Sequence, residues 1–125
     1  MIEITGTPIS PEQVIEKVKS DGSGCVVTYI GLIRNQSQGR PVLLVEYRDS
    51  QGDAENTLQE IASEARQRWS IENIIISHRI GKLRIGEINL VVAVASVHRS
   101  EGFAACQYAI EQFKQRLPTQ KIETY

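Results

Sequence analysis

A chain of 125 residues, 41% of them hydrophobic, suffices for one domain around one core and excludes a second. Its formal charge of −1 gives no bulk attraction to nucleic acid or to an anionic membrane surface. The charge is nonetheless uneven, with seven Lys and Arg against three Glu between Arg79 and Lys121, a balance that suits a local anion site.

The first ten residues lack the basic start and apolar core of a secretory leader, and the longest apolar runs fall far short of a membrane span. A soluble, cytoplasmic chain is therefore expected. Residues 2–5 read as a short strand closed by Pro8. Ser10-Pro11-Glu12-Gln13 then supplies a serine N-cap, a proline at the first helical position and a glutamine at the capping-box position, which predicts a helix to about Ser20. After Gly22 and Gly24 the β-branched run from Cys25 to Arg34 predicts a strand with both faces mostly covered. Residues 34–41 form a polar loop with no apolar anchor, so Arg34 and Arg40 are either solvated loop charges or arms that fold over an anionic ligand. Residues 41–48 continue as a strand antiparallel to the last. Asp53, after a turn, caps a helix whose stripe is Leu58, Ile61, Ala62, Ala65 and Trp69.

Residues 72–81 give a third long strand, turned at Gly81, in which His78 reads as a hydrogen-bonded strand-end histidine rather than a ligand-binding one. Residues 82–96 give a fourth, kinked or bulged at Gly86 and apolar on both alternating sets, hence central to its sheet. Ser100 then N-caps a helix of about four turns, striped by Phe103, Cys106, Ile110, Phe113 and Leu117. Pro118 ends that helix, and residues 118–125 are a candidate mobile tail. Cys25 and Cys106 have no paired spacing and read as reduced, buried small hydrophobes. The order of strand pairs and helices argues an α+β fold, a mixed or antiparallel sheet with helices packed on it, as a single domain over 1–125.

The chemistry available is cationic. The two histidines stand twenty residues apart without a carboxylate cluster, so no metal site is predicted, and no nucleotide-binding or serine-hydrolase motif occurs. His98 and Arg99 meet at a helix N-terminus, where a phosphate can be held. Lys114 falls at the edge of the helix stripe, either where core meets cleft or with its methylenes on the core and its head in water. The turn at Pro118 can bring Lys121 back over it. Neighbouring ammonium groups favour loss of a proton from one of them, which makes an amine available as base or nucleophile.

These residues also carry a likeness. The segments 23–40, 60–87 and 96–114, followed by Pro118-Thr119-Gln120-Lys121, resemble the catalytic large subunit family of molybdopterin synthase, from about Gly24 to Lys121. The resemblance implies an α/β hammerhead fold and a homodimer within a heterotetramer, each end binding a small ubiquitin-like sulfur-carrier subunit with a C-terminal thiocarboxylate. It implies sulfur transfer from that subunit to cyclic pyranopterin monophosphate to form the molybdopterin dithiolene, with no resident cofactor. By the same resemblance Lys114 and Lys121 are the catalytic pair, and Arg34, His98 and Arg99 bind substrate. Gln120 and Ile122 flank Lys121 where the family usually has an aromatic and a basic residue. A scaffold that has lost turnover, or a module binding some other phosphorylated ligand, are the competing expectations.

Overall fold

Two strands that are apolar on both faces organise the molecule. In the computed structural model, which describes residues 1–125, the elements are β1 (Ile2–Thr5), α1 (Pro11–Val18), β2 (Cys25–Leu32), β3 (Gln36–Ser37), β4 (Arg40–Pro41), β5 (Leu44–Arg48), α2 (Ala54–Arg68), β6 (Asn73–Arg79), β7 (Gly81–Arg84), β8 (Ile88–Ser96), α3 (Arg99–Gln115) and β9 (Gln120–Thr124). β6 and β8 are the inner strands of a mixed sheet ordered β1-β6-β8-β2, in which only the β1–β6 pair is parallel. Side chains alternate across a sheet, so Ile74, Ile76, Val92 and Val94 face one way, against α2 and α3. Ile75, Val91, Ala93 and Ala95 face the other, against α1. Burying each larger aliphatic among these contributes about 1.5–3 kcal/mol, so this two-faced sheet is the main source of stability. The α+β architecture agrees with the sequence reading, as does the central place of β8. No helix is long and apolar enough to cross a membrane.

A second sheet, ordered β7-β5-β9, stands beside the first around Ile33, Val42, Val45, Tyr47 and Leu83. Its existence corrects several expectations. The run 82–96 is not one strand: Gly86, at φ 86°, turns the chain so that β7 pairs with β5 while β8 joins the first sheet. β5 therefore does not pair with β2. β2 is an edge strand with half-exposed faces, because its only partner is β8. Residues 34–41 are not an unstructured loop but a small hairpin, β3–β4, whose central residues Gln38 and Gly39 take φ 52° and 77° as a tight primed turn requires. The tail contains β9, antiparallel to β5 along Gln120–Thr124.

The caps also differ in part. Ser10 Oγ accepts from the Gln13 N–H at 3.4 Å, as the sequence implied. Asp53 makes no capping bond, and Asp49 Oδ1 instead takes the Ala54 N–H at 3.3 Å. His98, not Ser100, is the residue before α3, and the Ser100 hydroxyl donates to the Glu101 carboxylate at 2.8 Å. The buried face of α3 is Gly102, Ala105, Cys106, Ala109 and Phe113. Phe103 is 60% exposed and Leu117 is exposed too, because small residues, not the largest, let the helix sit close on β2 and β8. A methyl group on Gly102 would lie 2.7 Å from Ser96 Oγ and 3.1 Å from Val27 Cγ2.

Candidate active site

Where the two sheets diverge, the end of β2, the β3–β4 hairpin, β5, β9 and the last turn of α3 enclose a recess of about 450 Å³. Three of the five predicted cations line it: Arg34, Lys114 and Lys121. Each is placed by a different local cause. Arg34 follows the irregularity at Gly31–Leu32, where the ladder with β8 shifts register; the Ile33 N–H then bonds the Glu87 carbonyl at 3.0 Å, which steers the chain off the sheet edge. Lys114 is held by its neighbour Phe113, which is buried in the main core. Lys121 lies opposite Tyr47 in the β5–β9 ladder, and Glu123 opposite Val45. Directly paired residues share a face, and Val45 and Tyr47 are buried between the sheets, so Lys121 and Glu123 point inward while Gln120, Ile122 and Thr124 point out.

The recess owes its depth to a missing side chain. A methyl group on Gly31 would lie 2.8 Å from Asn89 Oδ1 and 3.2 Å from Tyr29 Cε1, so any larger residue would fill the floor. The polar atoms there are paired: Asn89 Nδ2 donates to the Tyr47 hydroxyl at 3.2 Å. Burial raises the Tyr47 pKa, against the lowering effect of that bond. On the rim, Ser37 Oγ donates to Glu123 Oε1 at 3.2 Å and the Tyr125 hydroxyl donates to the same oxygen at 3.0 Å. The Ser37 bond, then Tyr125 and the charges of Lys121 and Arg34, hold the Glu123 carboxyl below its ordinary range. Arg40 is not among the residues lining the recess and stacks on Tyr125, 3.8 Å from the ring centre.

His98 and Arg99 are not brought to this recess within one chain. They sit exposed at the opposite end of α3. Lys114 is fifteen residues further on, about 22 Å along the axis at 1.5 Å per residue. Tyr47, Asn89 and Glu123 line the site and were missed by sequence reasoning. Two signals existed: Asn89 interrupts an otherwise apolar run from Ile88 to Ala95, and Glu123 follows Lys121 at the two-residue spacing that shares a strand face. His78 is hydrogen-bonded at a strand end, as expected.

A cavity with three cations against one carboxylate, and an aromatic and amide floor, can gather an anionic group and offset charge that develops on it. Known proteins share this frame. The family described as MoaE protein matches residues 4–116. A molybdopterin synthase catalytic subunit of Nostoc sp. is 39% identical over 121 residues, 96% of this chain and 73% of that protein. One of Bacillus subtilis is 39% identical over 123 residues, 98% of this chain and 78% of the other. The X-ray structure of molybdopterin synthase from Staphylococcus aureus contains a chain that superposes with a TM-score of 0.91 at 35% identity, covering 98% of this chain and 90% of that one. The chain belongs to the MoaE protein family, that of the molybdopterin synthase catalytic subunits.

Proposed function

We propose that this chain is the catalytic subunit of a molybdopterin synthase, a sulfurtransferase of molybdenum cofactor biosynthesis, and that the recess beside the β3–β4 hairpin is its active site. A small ubiquitin-like subunit presents a C-terminal thiocarboxylate, and its sulfur passes to cyclic pyranopterin monophosphate to build the dithiolene. The observation that carries this reading is the convergence of Arg34, Lys114 and Lys121, from three separate elements, on one cavity. Both reactants are anions, so the cations gather them and offset their mutual repulsion. Arg34 holds the pterin phosphate, and the two amines serve the reacting carbon by proton transfer or a transient covalent adduct.

His98 and Arg99 enter this reading through a homodimer. β2 is a free edge, and exposed Val97 and Phe103 flank the His98–Arg99 corner while exposed Leu32 borders the recess. The pairing of Cys25 with Ser96 puts that corner at the start of β2, and Arg34 leaves from its end. A two-fold, antiparallel neighbour along β2 would bring the start of one strand to the end of the other. The second copy's His98 and Arg99 would then join Arg34 on the phosphate.

The test is direct. The purified chain, given the thiocarboxylated small subunit and the cyclic pterin, should form dithiolene product. Lys114→Ala should abolish it while the unfolding free energy stays within the small change expected for an exposed residue, ~0.5 kcal/mol. Normal binding of the small subunit with no product from the unmodified chain would instead make it a scaffold.

A further inference from the structure

Beneath the recess His78 is fully buried, its ring edge-on to two aromatic neighbours: Tyr47 at a centroid distance of 5.0 Å and Phe113 at 4.9 Å. Its Nδ1 lies 2.9 Å from the Asn89 main-chain carbonyl and its Nε2 2.9 Å from Thr119 Oγ1. A carbonyl oxygen can only accept, so Nδ1 carries the proton and Nε2 accepts from the Thr119 hydroxyl. Thr119 is itself only 4% exposed.

The neighbours of this imidazole are the neighbours of the two amines. Phe113 precedes Lys114, Thr119 stands two residues before Lys121, and Tyr47 is opposite Lys121 in the β5–β9 ladder. β9 is five residues long and paired on one side only. Because side chains alternate along a strand, a slip of one residue would turn Lys121 out to solvent and bring Gln120 or Ile122 inward. Among the bonds that tie the start of β9 down, Gln120 Oε1 accepts from the exposed Ser50 N–H at 3.2 Å, whereas the His78–Thr119 bond is buried and shielded from competing water.

We infer that His78, acting through the Thr119 hydroxyl, sets the register of β9 and thereby aims Lys121 into the recess: it is a positioning residue for the proposed reaction. The inference rests on the reading that Lys121 acts in that recess. Thr119→Val keeps the shape and removes the donor, and Thr119→Ser keeps the donor. Both are compared with the unmodified chain in two measurements: steady-state turnover with the thiocarboxylated small subunit and the cyclic pterin, and the carbon-13 resonance of reductively methylated Lys121, assigned by its loss in Lys121→Arg.

Misplacing a reacting group by ~1 Å can cost ~100-fold. Thr119→Val should therefore lower kcat by about tenfold or more with KM for the pterin unchanged, and should move the Lys121 resonance; Thr119→Ser should restore both. Wild-type kcat with an unmoved resonance in Thr119→Val would overturn the inference. So would a loss of kcat with that resonance unmoved, since it would mark a general loss of stability. If the unmodified chain made no product, the functional reading would fail, and the resonance alone would decide the positioning. Movement in Thr119→Val but not in Thr119→Ser would then support it, and no movement would overturn it.

Discussion

Lys121 is exposed on an edge strand, yet the direction of its side chain is set by buried residues, Tyr47 across the ladder and His78 beneath it. The cost of that arrangement is a buried imidazole. Burial lowers the His78 pKa from the ordinary 6.5, outweighing the Asn89 carbonyl bond and the charge of Asp49, both of which raise it. The sign follows from proton counting. Above the ordinary value neither the folded nor the unfolded chain holds this proton. As pH falls toward the folded value the unfolded chain takes it up first, so stability drops, by at most ~1.4 kcal/mol per pH unit for one group. The carboxyls of Glu64, Glu87 and Glu123, lowered from the ordinary 4.5, lose their contributions only at more acid pH. Burial also lowers the Met1 amino group from 8.0, so denaturant melts of the wild type should show stability falling already below pH ~8 and more steeply below pH ~6.5; His78→Gln should remove only the added slope, and an equal slope in both would count against the assignment.

At the scale of elements, the position of α3 depends on how closely the chain can pass itself at the ends of β2 and β8. The Gly24 N–H bonds the Ser96 carbonyl at 2.9 Å, and a methyl group on Gly24 would lie 2.3 Å from the Val97 carbonyl oxygen. Neither partner is a flexible side-chain end, so relief requires a backbone shift just before α3. Gly24→Ala should destabilise the fold by about 1–3 kcal/mol, read as a lower denaturation midpoint with an unchanged slope. An unshifted midpoint would show that the strand end yields more easily than the geometry allows. The other end of α3 is stapled differently: Arg116 makes paired bonds to Glu64 on α2 at 2.6 and 3.1 Å, and the Tyr108 hydroxyl adds a third at 2.6 Å. These groups are partly exposed, so their contribution is modest, and their role is to orient the last turn that carries Lys114.

For the whole molecule, the separation of His98 and Arg99 from the recess makes a shared site testable without a structure of the dimer. Arg99→Ala and Lys114→Ala chains, each inactive alone, should regain activity when unfolded together and refolded. Random pairing along a two-fold axis leaves one intact site in half of the dimers, which predicts about a quarter of the wild-type rate. No recovery, with dimers present by sedimentation, would place His98 and Arg99 outside the neighbouring recess. Recovery between a quarter and a half of the wild-type rate would mark preferential pairing of the two unlike chains.

The pattern left the placing of Arg34 and Lys114 open, and the family resemblance singled them out with Lys121; on α3 the pattern found Cys106 and Phe113 but passed over Gly102, Ala105 and Ala109. Read by itself, the sequence determined the α+β class, the central β8, the Ser10 cap and the buried stripe of α2 from Leu58 to Ala65. These follow from period and local chemistry, which a linear chain displays openly. What only the tertiary structure decided is which strands pair. β7, β5 and β9 are too short to announce their partners, and their alliance created the second sheet, turned Lys121 and Glu123 inward and hid His78 beneath them. Pairing between residues as distant as Tyr47 and Lys121 leaves no mark in either segment alone, because the energy that selects it resides in the buried contact and not in the preference of either strand.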